Sequence, residues 1–233
     1  MRLHLQSWGE GDRLAVLIHG LSSQATSWAG VAATLADRGY RVLAPDLRGH
    51  GSSPRGHYSI QEWVGDLLES VPLTPEIAIG HSLGAVVLVE AVPVLRPARA
   101  VYVDPPWAVG PDPEQRIADF ESRKRSSREA IAGANPRWTE ENVSSRHEGF
   151  ARWDPATARG FIEGRRDHTP TDQPLQPSLV VLADGTPFMP GSTAERLRAT
   201  GWEVRTIPGT SHYVHLDDHA AFMDCVLGWV DGS

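Results

Sequence analysis

The stretch Ile77-Ala78-Ile79-Gly80-His81-Ser82-Leu83-Gly84-Ala85-Val86-Val87-Leu88 constrains this chain more than any other. A short apolar run meets Gly-x-Ser-x-Gly, and a second apolar run rich in Ala, Val and Leu follows. The pattern predicts a buried strand, a very tight turn and a buried helix, with the Ser82 hydroxyl lifted clear of both elements. Gly80 and Gly84 fit this reading because a Cβ at either place would collide with the neighbouring strand or helix. The helix N-terminus would present free N–H groups and a positive dipole end where negative charge develops. Ser82 is therefore the candidate nucleophile.

A nucleophilic serine needs a base. Glu203 to Ile207 reads as a strand and Pro208-Gly209-Thr210-Ser211-His212-Tyr213 as the loop leaving it, which makes His212 the candidate. His81 is adjacent to Ser82, but neighbouring residues at such a turn point apart, so it reads as a wall of the pocket.

Four ordered motifs carry a resemblance over nearly the whole chain: His19-Gly20, Pro45-Asp46-Leu47-Arg48-Gly49-His50-Gly51, Gly80-His81-Ser82-Leu83-Gly84 and Gly209-Thr210-Ser211-His212. Together they resemble the α/β-hydrolases. The resemblance implies an α/β fold with a mostly parallel central sheet flanked by helices. It implies a core made of residues 1–105 and 176–233, with residues 106–175 inserted as a helical cap. It also implies an oxyanion hole built from the backbone N–H groups of Leu21 and Leu83. Asp46 and Arg48 match a loop in which such residues hold structure more often than they do chemistry.

The coarse reading of the chain agrees with that frame. Strands are expected near residues 3–8, 14–18, 41–45, 77–81, 98–103, 178–183 and 203–207. Thr26 or Ser27 is placed to cap a helix running to about Arg38, closed by Gly39, and Ser59 with Glu62 opens another. Asp217 and Asp218 read as N-terminal residues of a last helix reaching about Val230. From Trp107 to Pro177 the chain has charged helical stretches and no long apolar run. Its aromatics, among them Trp107, Trp138 and Trp153, suggest a cap seated on the core and a roof over an apolar pocket. Gly20, His81 and these three tryptophans are the candidate substrate contacts. Arg123-Lys124-Arg125 reads as a solvated face, and His147 and His168 lack the spacing of a metal set.

The acid that would support His212 is open between two residues. Asp184 follows the strand 178–183, but the family's usual position falls on Thr186, two residues later. Asp104 ends the strand before the cap, where some family members place their acid.

Composition limits the partners. The formal charge of −7 gives no basic face for nucleic acid and would be repelled by an anionic membrane surface. A single cysteine, Cys225, allows no internal disulfide and falls in an apolar helical stretch. The N-terminal residues lack the long apolar segment of a signal peptide, and no run reaches membrane-span length, so a cytoplasmic location is expected. No metal or organic cofactor is implied, the expected partner is a small-molecule substrate, and the oligomeric state is open. The expectation is a serine hydrolase acting on an ester or lactone of a fairly apolar small molecule. A C–C bond hydrolase, a non-hydrolytic lyase or cyclase, and a ligand-binding member of the fold are the alternatives, since fold alone does not separate them. The serine itself argues against the dehalogenase branch, whose nucleophile is an aspartate.

Overall fold

The computed structural model describes residues 1–108, 110–164 and 166–232. Seven strands form one sheet: β1 (Leu5–Trp8), β2 (Arg13–Ile18), β3 (Tyr40–Pro45), β4 (Ile77–His81), β5 (Arg99–Val103), β6 (Ser178–Ala183) and β7 (Glu203–Ile207). Their order is β1-β3-β2-β4-β5-β6-β7, and every pairing is parallel except β1 with β3. β1 is the antiparallel edge, with Leu5 opposite Pro45. β4 and β6 are buried along their whole length, as central parallel strands covered on both faces must be.

Side-chain alternation along the strands divides the core into two layers. Val16 and Ile18 of β2 join a cluster with Trp63, Leu67, Val86 and Leu88 on one face. Ala15 and Leu17 join Trp28, Leu35, Phe222 and Val226 on the other. The first face is covered by α2 (Ile60–Ser70) and α3 (Leu83–Leu95), the second by α1 (Ala29–Asp37) and α10 (His219–Asp231). Ser59 caps α2 by accepting from the Glu62 N–H at 3.2 Å, and Asp218 caps α10 through the Ala221 N–H at 2.9 Å. Cys225 is half-buried on α10 against the second cluster, where burial pushes its thiol pKa up.

The first helix departs from the sequence expectation. A 3-10 turn (Ala25–Trp28) precedes α1, and neither Thr26 nor Ser27 caps it. The Ser27 hydroxyl donates to the Gln24 carbonyl at 2.8 Å. Thr26 Oγ1 instead lies 2.7 Å from Ser145 Oγ, a contact between residues far apart in the chain that no local pattern encodes.

Among the described residues, four helices stand between β5 and β6: α4 (Pro113–Arg123), α5 (Arg128–Ala134), α6 (Glu140–Arg152) and α7 (Ala156–Glu163). They fall inside the segment expected as a cap. After β6 come α8 (Gly191–Ala199) and, beyond β7, the short α9 (Val214–Asp217). No helix among the described residues is long and apolar enough to cross a membrane.

Candidate active site

The carboxyl ends of β2, β4, β5 and β7 meet at one side of the sheet, the place where parallel α/β sheets bind ligands. Ser82 stands between β4 and α3 with φ +52° and ψ −116°. A non-glycine residue in that region carries about 1–3 kcal/mol of strain, held here by its surroundings. The Ser82 N–H donates to the Val103 carbonyl at 3.0 Å. The flanking glycines permit the turn: a Cβ on Gly80 would lie 2.4 Å from the Gly84 carbonyl oxygen, and one on Gly84 would lie 2.2 Å from that of Ile18. Both obstacles are backbone and cannot swing aside. Gly84→Ala is therefore expected to destabilise the fold by about 1–3 kcal/mol and to displace Ser82. Thermal melts and turnover should fall together.

His212 leaves β7 on the loop the sequence indicated, and its Nδ1–H donates to Asp104 Oδ2 at 2.6 Å. Asp104 follows β5, is fully buried and takes φ +42°. Its other oxygen accepts the Ala183 N–H at 3.2 Å, and its own N–H donates to the Val181 carbonyl at 2.8 Å. With Nδ1 carrying the proton toward a carboxylate, Nε2 of the neutral ring is left as the acceptor. Ser82 and His212 line the same cavity.

Asp184 does not reach the ring. Its carboxylate accepts the Gly209 N–H at 2.9 Å, and its N–H donates to the Thr210 carbonyl at 3.2 Å. It ties the loop after β6 to the loop that carries His212. His81 acts on that loop as well, through its Nε2–H to the His212 carbonyl at 2.8 Å. On the opposite side of His81, a Cβ added to Gly20 would lie 2.9 Å from its Nδ1.

The sequence pattern described as the alpha/beta hydrolase family matches residues 15–224. The chain belongs to the alpha/beta hydrolase family. Over 111 residues it is 39% identical to epoxide hydrolase A of Mycobacterium tuberculosis, covering 44% of this chain and 34% of that protein. Over 92 residues it is 41% identical to the pimeloyl-[acyl-carrier protein] methyl ester esterase of Methylococcus capsulatus, covering 39% of this chain and 35% of that one. The matched segments span from 22% to 35% of the length of these and similar curated relatives. Among solved structures, a deformylase from Pseudomonas putida S16 superposes with a TM-score of 0.80 at 22% identity, over 96% of this chain and 95% of that one. At that identity the likeness concerns the fold.

The two residues expected to offer oxyanion-binding N–H groups lie beside Ser82 and Gly20. Leu83 is the first residue of α3, so its N–H has no acceptor within the helix. Leu21 lines the cavity beside Gly20. Two buried histidines shape this loop. His19 donates from Nδ1 to the Gly20 carbonyl at 2.8 Å and accepts the Leu47 N–H on Nε2 at 2.9 Å. His50 donates from Nδ1 to the Arg48 carbonyl at 3.1 Å and accepts the Ser22 N–H on Nε2 at 3.2 Å. Asp46 accepts from the Ala25 and Ser52 N–H groups at 2.7 and 2.9 Å, and Arg48 pairs with Asp66 at 2.6 Å.

These imidazoles are held neutral. Burial pushes the pKa of His19 below 6.5 and those of His50 and His81 well below it, and pushes that of His215 down to about 3. Folded-state values below the unfolded one mean that the unfolded chain binds more protons on the acid side. Stability from these groups is complete above pH 6.5 and is lost as pH falls toward the folded values. Each unmatched proton costs about 1.4 kcal/mol per pH unit. The urea midpoint is expected to fall steeply between pH 6.5 and 5. A flat profile across that interval would contradict the neutral assignment.

The shared cavity has a volume of about 580 Å³, roofed by side chains from α4, α5 and α6. Phe120, Ile131, Trp138, Phe150 and Phe161 supply much of its apolar surface. Trp138 also donates to Asp217 Oδ1 at 2.8 Å, while Asp217 Oδ2 accepts the Ser211 N–H at 2.5 Å. Asp217 thus links the roof to the histidine loop, beyond the helix-terminal role expected of it.

Three expectations need correction. Trp107 and Trp153 lie outside the cavity lining. Trp107 packs edge-on against Tyr102 and Trp202, and Trp153 is fully buried and donates to Thr157 Oγ1. Trp153→Ala should cost about 3–5 kcal/mol of stability, as a truncated core tryptophan does. Chemical denaturation of the variant reads this directly. The Arg123–Arg125 run is not simply a solvated face. Arg123 lines the cavity with its guanidinium 4.7 Å from the Phe120 ring, and Lys124 donates to the Phe150 and Trp153 carbonyls at 3.0 and 2.5 Å. The site also includes Arg146, buried on α6, which one arginine in a charged helical stretch does not advertise. Among the described residues, no group of three or more His, Cys, Asp and Glu is placed to hold a metal ion.

Proposed function

We propose that this chain is a serine hydrolase cleaving an ester or lactone of a fairly apolar small molecule through an acyl-enzyme on Ser82. The observation that carries the reading is the pair of a buried Asp104 and His212, 2.6 Å apart, at a cavity that Ser82 also lines. His212 Nε2 takes the Ser82 proton as Oγ attacks the acyl carbon. Asp104 holds the ring in the required tautomer and stabilises the imidazolium that forms. The N–H groups of Leu21 and Leu83 hold the oxyanion while His212 returns the proton to the leaving oxygen. Water then enters, gives a proton to the same nitrogen and attacks the acyl carbon, and His212 passes that proton to Ser82 Oγ as the Oγ–acyl bond breaks. The products are the acid and free Ser82. His81 and Asp184 act on the backbone of the histidine loop and are positioning residues in this scheme.

The kind of bond follows from the nucleophile. Epoxide hydrolases stand among the curated relatives, but attack of a serine oxygen on an epoxide carbon would leave an ether, which water does not open. Attack on an acyl carbon leaves an ester, which it does. The methyl ester esterase among the relatives accords with acyl transfer. The test is hydrolysis of p-nitrophenyl esters of increasing acyl length and of matched lactones, with fluorophosphonate labelling alongside. Turnover of an ester or lactone, with labelling blocked in Ser82→Ala, is expected. Ligand binding without turnover or labelling would replace the hydrolase with a binding protein.

A further inference from the structure

Two arginines are buried among the described residues, Arg48 and Arg146, and the protein treats them differently. Arg48 is neutralised by Asp66 at 2.6 and 2.8 Å and by Glu62 at 2.5 Å. Arg146 is equally buried, 6% exposed, yet its bonds go to neutral groups alone: Nη1–H to the Ser22 carbonyl at 3.1 Å and Nη2–H to the Tyr213 hydroxyl. Its guanidinium lies 4.3 Å from the Phe150 ring centre and 4.8 Å from that of Tyr213. No carboxylate among the described residues pairs with it. The surrounding imidazoles of His19, His50 and His81 are neutral and supply no counter-charge.

A charge held away from water without a counter-ion is strongly disfavoured. Tethering the cap to the Ser22 loop requires two neutral hydrogen bonds, which an uncharged amide would make at less cost. These two bonds leave three of the five guanidinium N–H donors without a partner among the described residues. Arg146 lines the cavity of Ser82 and His212, and another cation, Arg116, half-buried on α4, lines it too with no acidic partner among the described residues. Arg123 and the carboxylate of Asp119 also line the cavity, and the rest of the lining is largely aromatic and aliphatic. A planar fork beside apolar walls fits a carboxylate at the end of an apolar chain.

We propose that Arg146 recognises a free carboxylate on the acyl part of the substrate, so that the preferred substrates are half-esters of dicarboxylic acids. The acyl side is indicated because Arg146 rests on Ser22, next to Leu21, whose N–H receives the acyl carbonyl oxygen in the mechanism above. This inference rests on the acyl-transfer reading for its chemistry and on the unpaired guanidinium for its specificity.

The test compares kcat/KM for p-nitrophenyl half-esters of glutarate, adipate and suberate with that for neutral p-nitrophenyl esters of equal chain length, after subtraction of spontaneous hydrolysis. Wild type is expected to favour the half-ester at least tenfold at one or more lengths. Arg146→Gln should lower that ratio at least tenfold, whatever happens to the absolute rates, and Arg146→Lys should keep part of it. A wild-type ratio at or below one overturns the proposal. So does a ratio that Arg146→Gln leaves unchanged, which would make the residue a tether. Calorimetric titration of wild type and both variants with adipate separates this idea from the acyl-transfer reading. Adipate binding that depends on Arg146 without ester turnover would sink the hydrolase reading and keep the anion site. Turnover of neutral esters without adipate binding or half-ester preference would do the reverse.

Discussion

Replacing Ser82 by alanine is expected to lower kcat on any hydrolysed ester by 10⁴-fold or more, with the fold intact. Removing the nucleophile of the subtilisin triad costs on the order of 10⁶ in kcat, and the residual rate comes from binding and the oxyanion groups. The fold should survive because Ser82 contributes no side-chain hydrogen bond to the core, and alanine keeps the Cβ that the φ of +52° already accommodates. Unchanged thermal stability with activity gone is the expected pair of readings. Retained activity would mean that the turn between β4 and α3 presents a serine the chemistry does not use.

The second large effect separates the two carboxylates. Asp104→Asn should lower kcat by about 10⁴-fold, because an amide in place of that buried carboxylate can favour the wrong histidine tautomer and leaves the imidazolium without its counter-charge. The Ala183 N–H would still find an oxygen at 3.2 Å, so a loss of catalysis need not mean a loss of structure. Asp184→Asn keeps an acceptor for the Gly209 N–H, now at 2.9 Å, and should cost no more than a few-fold in kcat. Steady-state kinetics on both variants, with circular dichroism as a check on folding, measures the contrast. A severe loss in Asp184→Asn with a mild one in Asp104→Asn would reverse the assignment.

These two residues also mark how far the sequence could be read. The turn at Ser82 is legible because its cause is local. Two glycines, one serine and flanking apolar runs specify strand, turn and helix within a dozen residues, and the 2.4 Å clash of a Gly80 Cβ with the Gly84 carbonyl oxygen lies inside that stretch. The strands are legible for the same reason, since β4 and β6 are continuous apolar runs. The acid is different. Asp104 and Asp184 both end a strand, and which one faces His212 depends on how three loops from β5, β6 and β7 pack together. That is a tertiary fact with no sequence period.

The aromatics repeat the lesson. Trp107, Trp138 and Trp153 look alike as cap residues in the chain, yet Trp138 alone of the three lines the cavity. The side chains that face the cavity are chosen by how α5 and α6 lie against the loop after β2, through contacts such as Thr26 with Ser145. Arg146 is harder still to foresee. Its importance lies in a missing partner, and the absence of a counter-ion is visible only when every neighbouring side chain has been placed.

The central claim is that Ser82 carries the acyl group. Rapid acid quenching during p-nitrophenyl ester turnover, followed by mass analysis of proteolytic peptides, tests it most directly. The account predicts a peptide containing Ser82 heavier by one acyl group, formed in step with a burst of p-nitrophenol and absent from Ser82→Ala. Acyl transfer to a different residue, or the same turnover in Ser82→Ala, would contradict it.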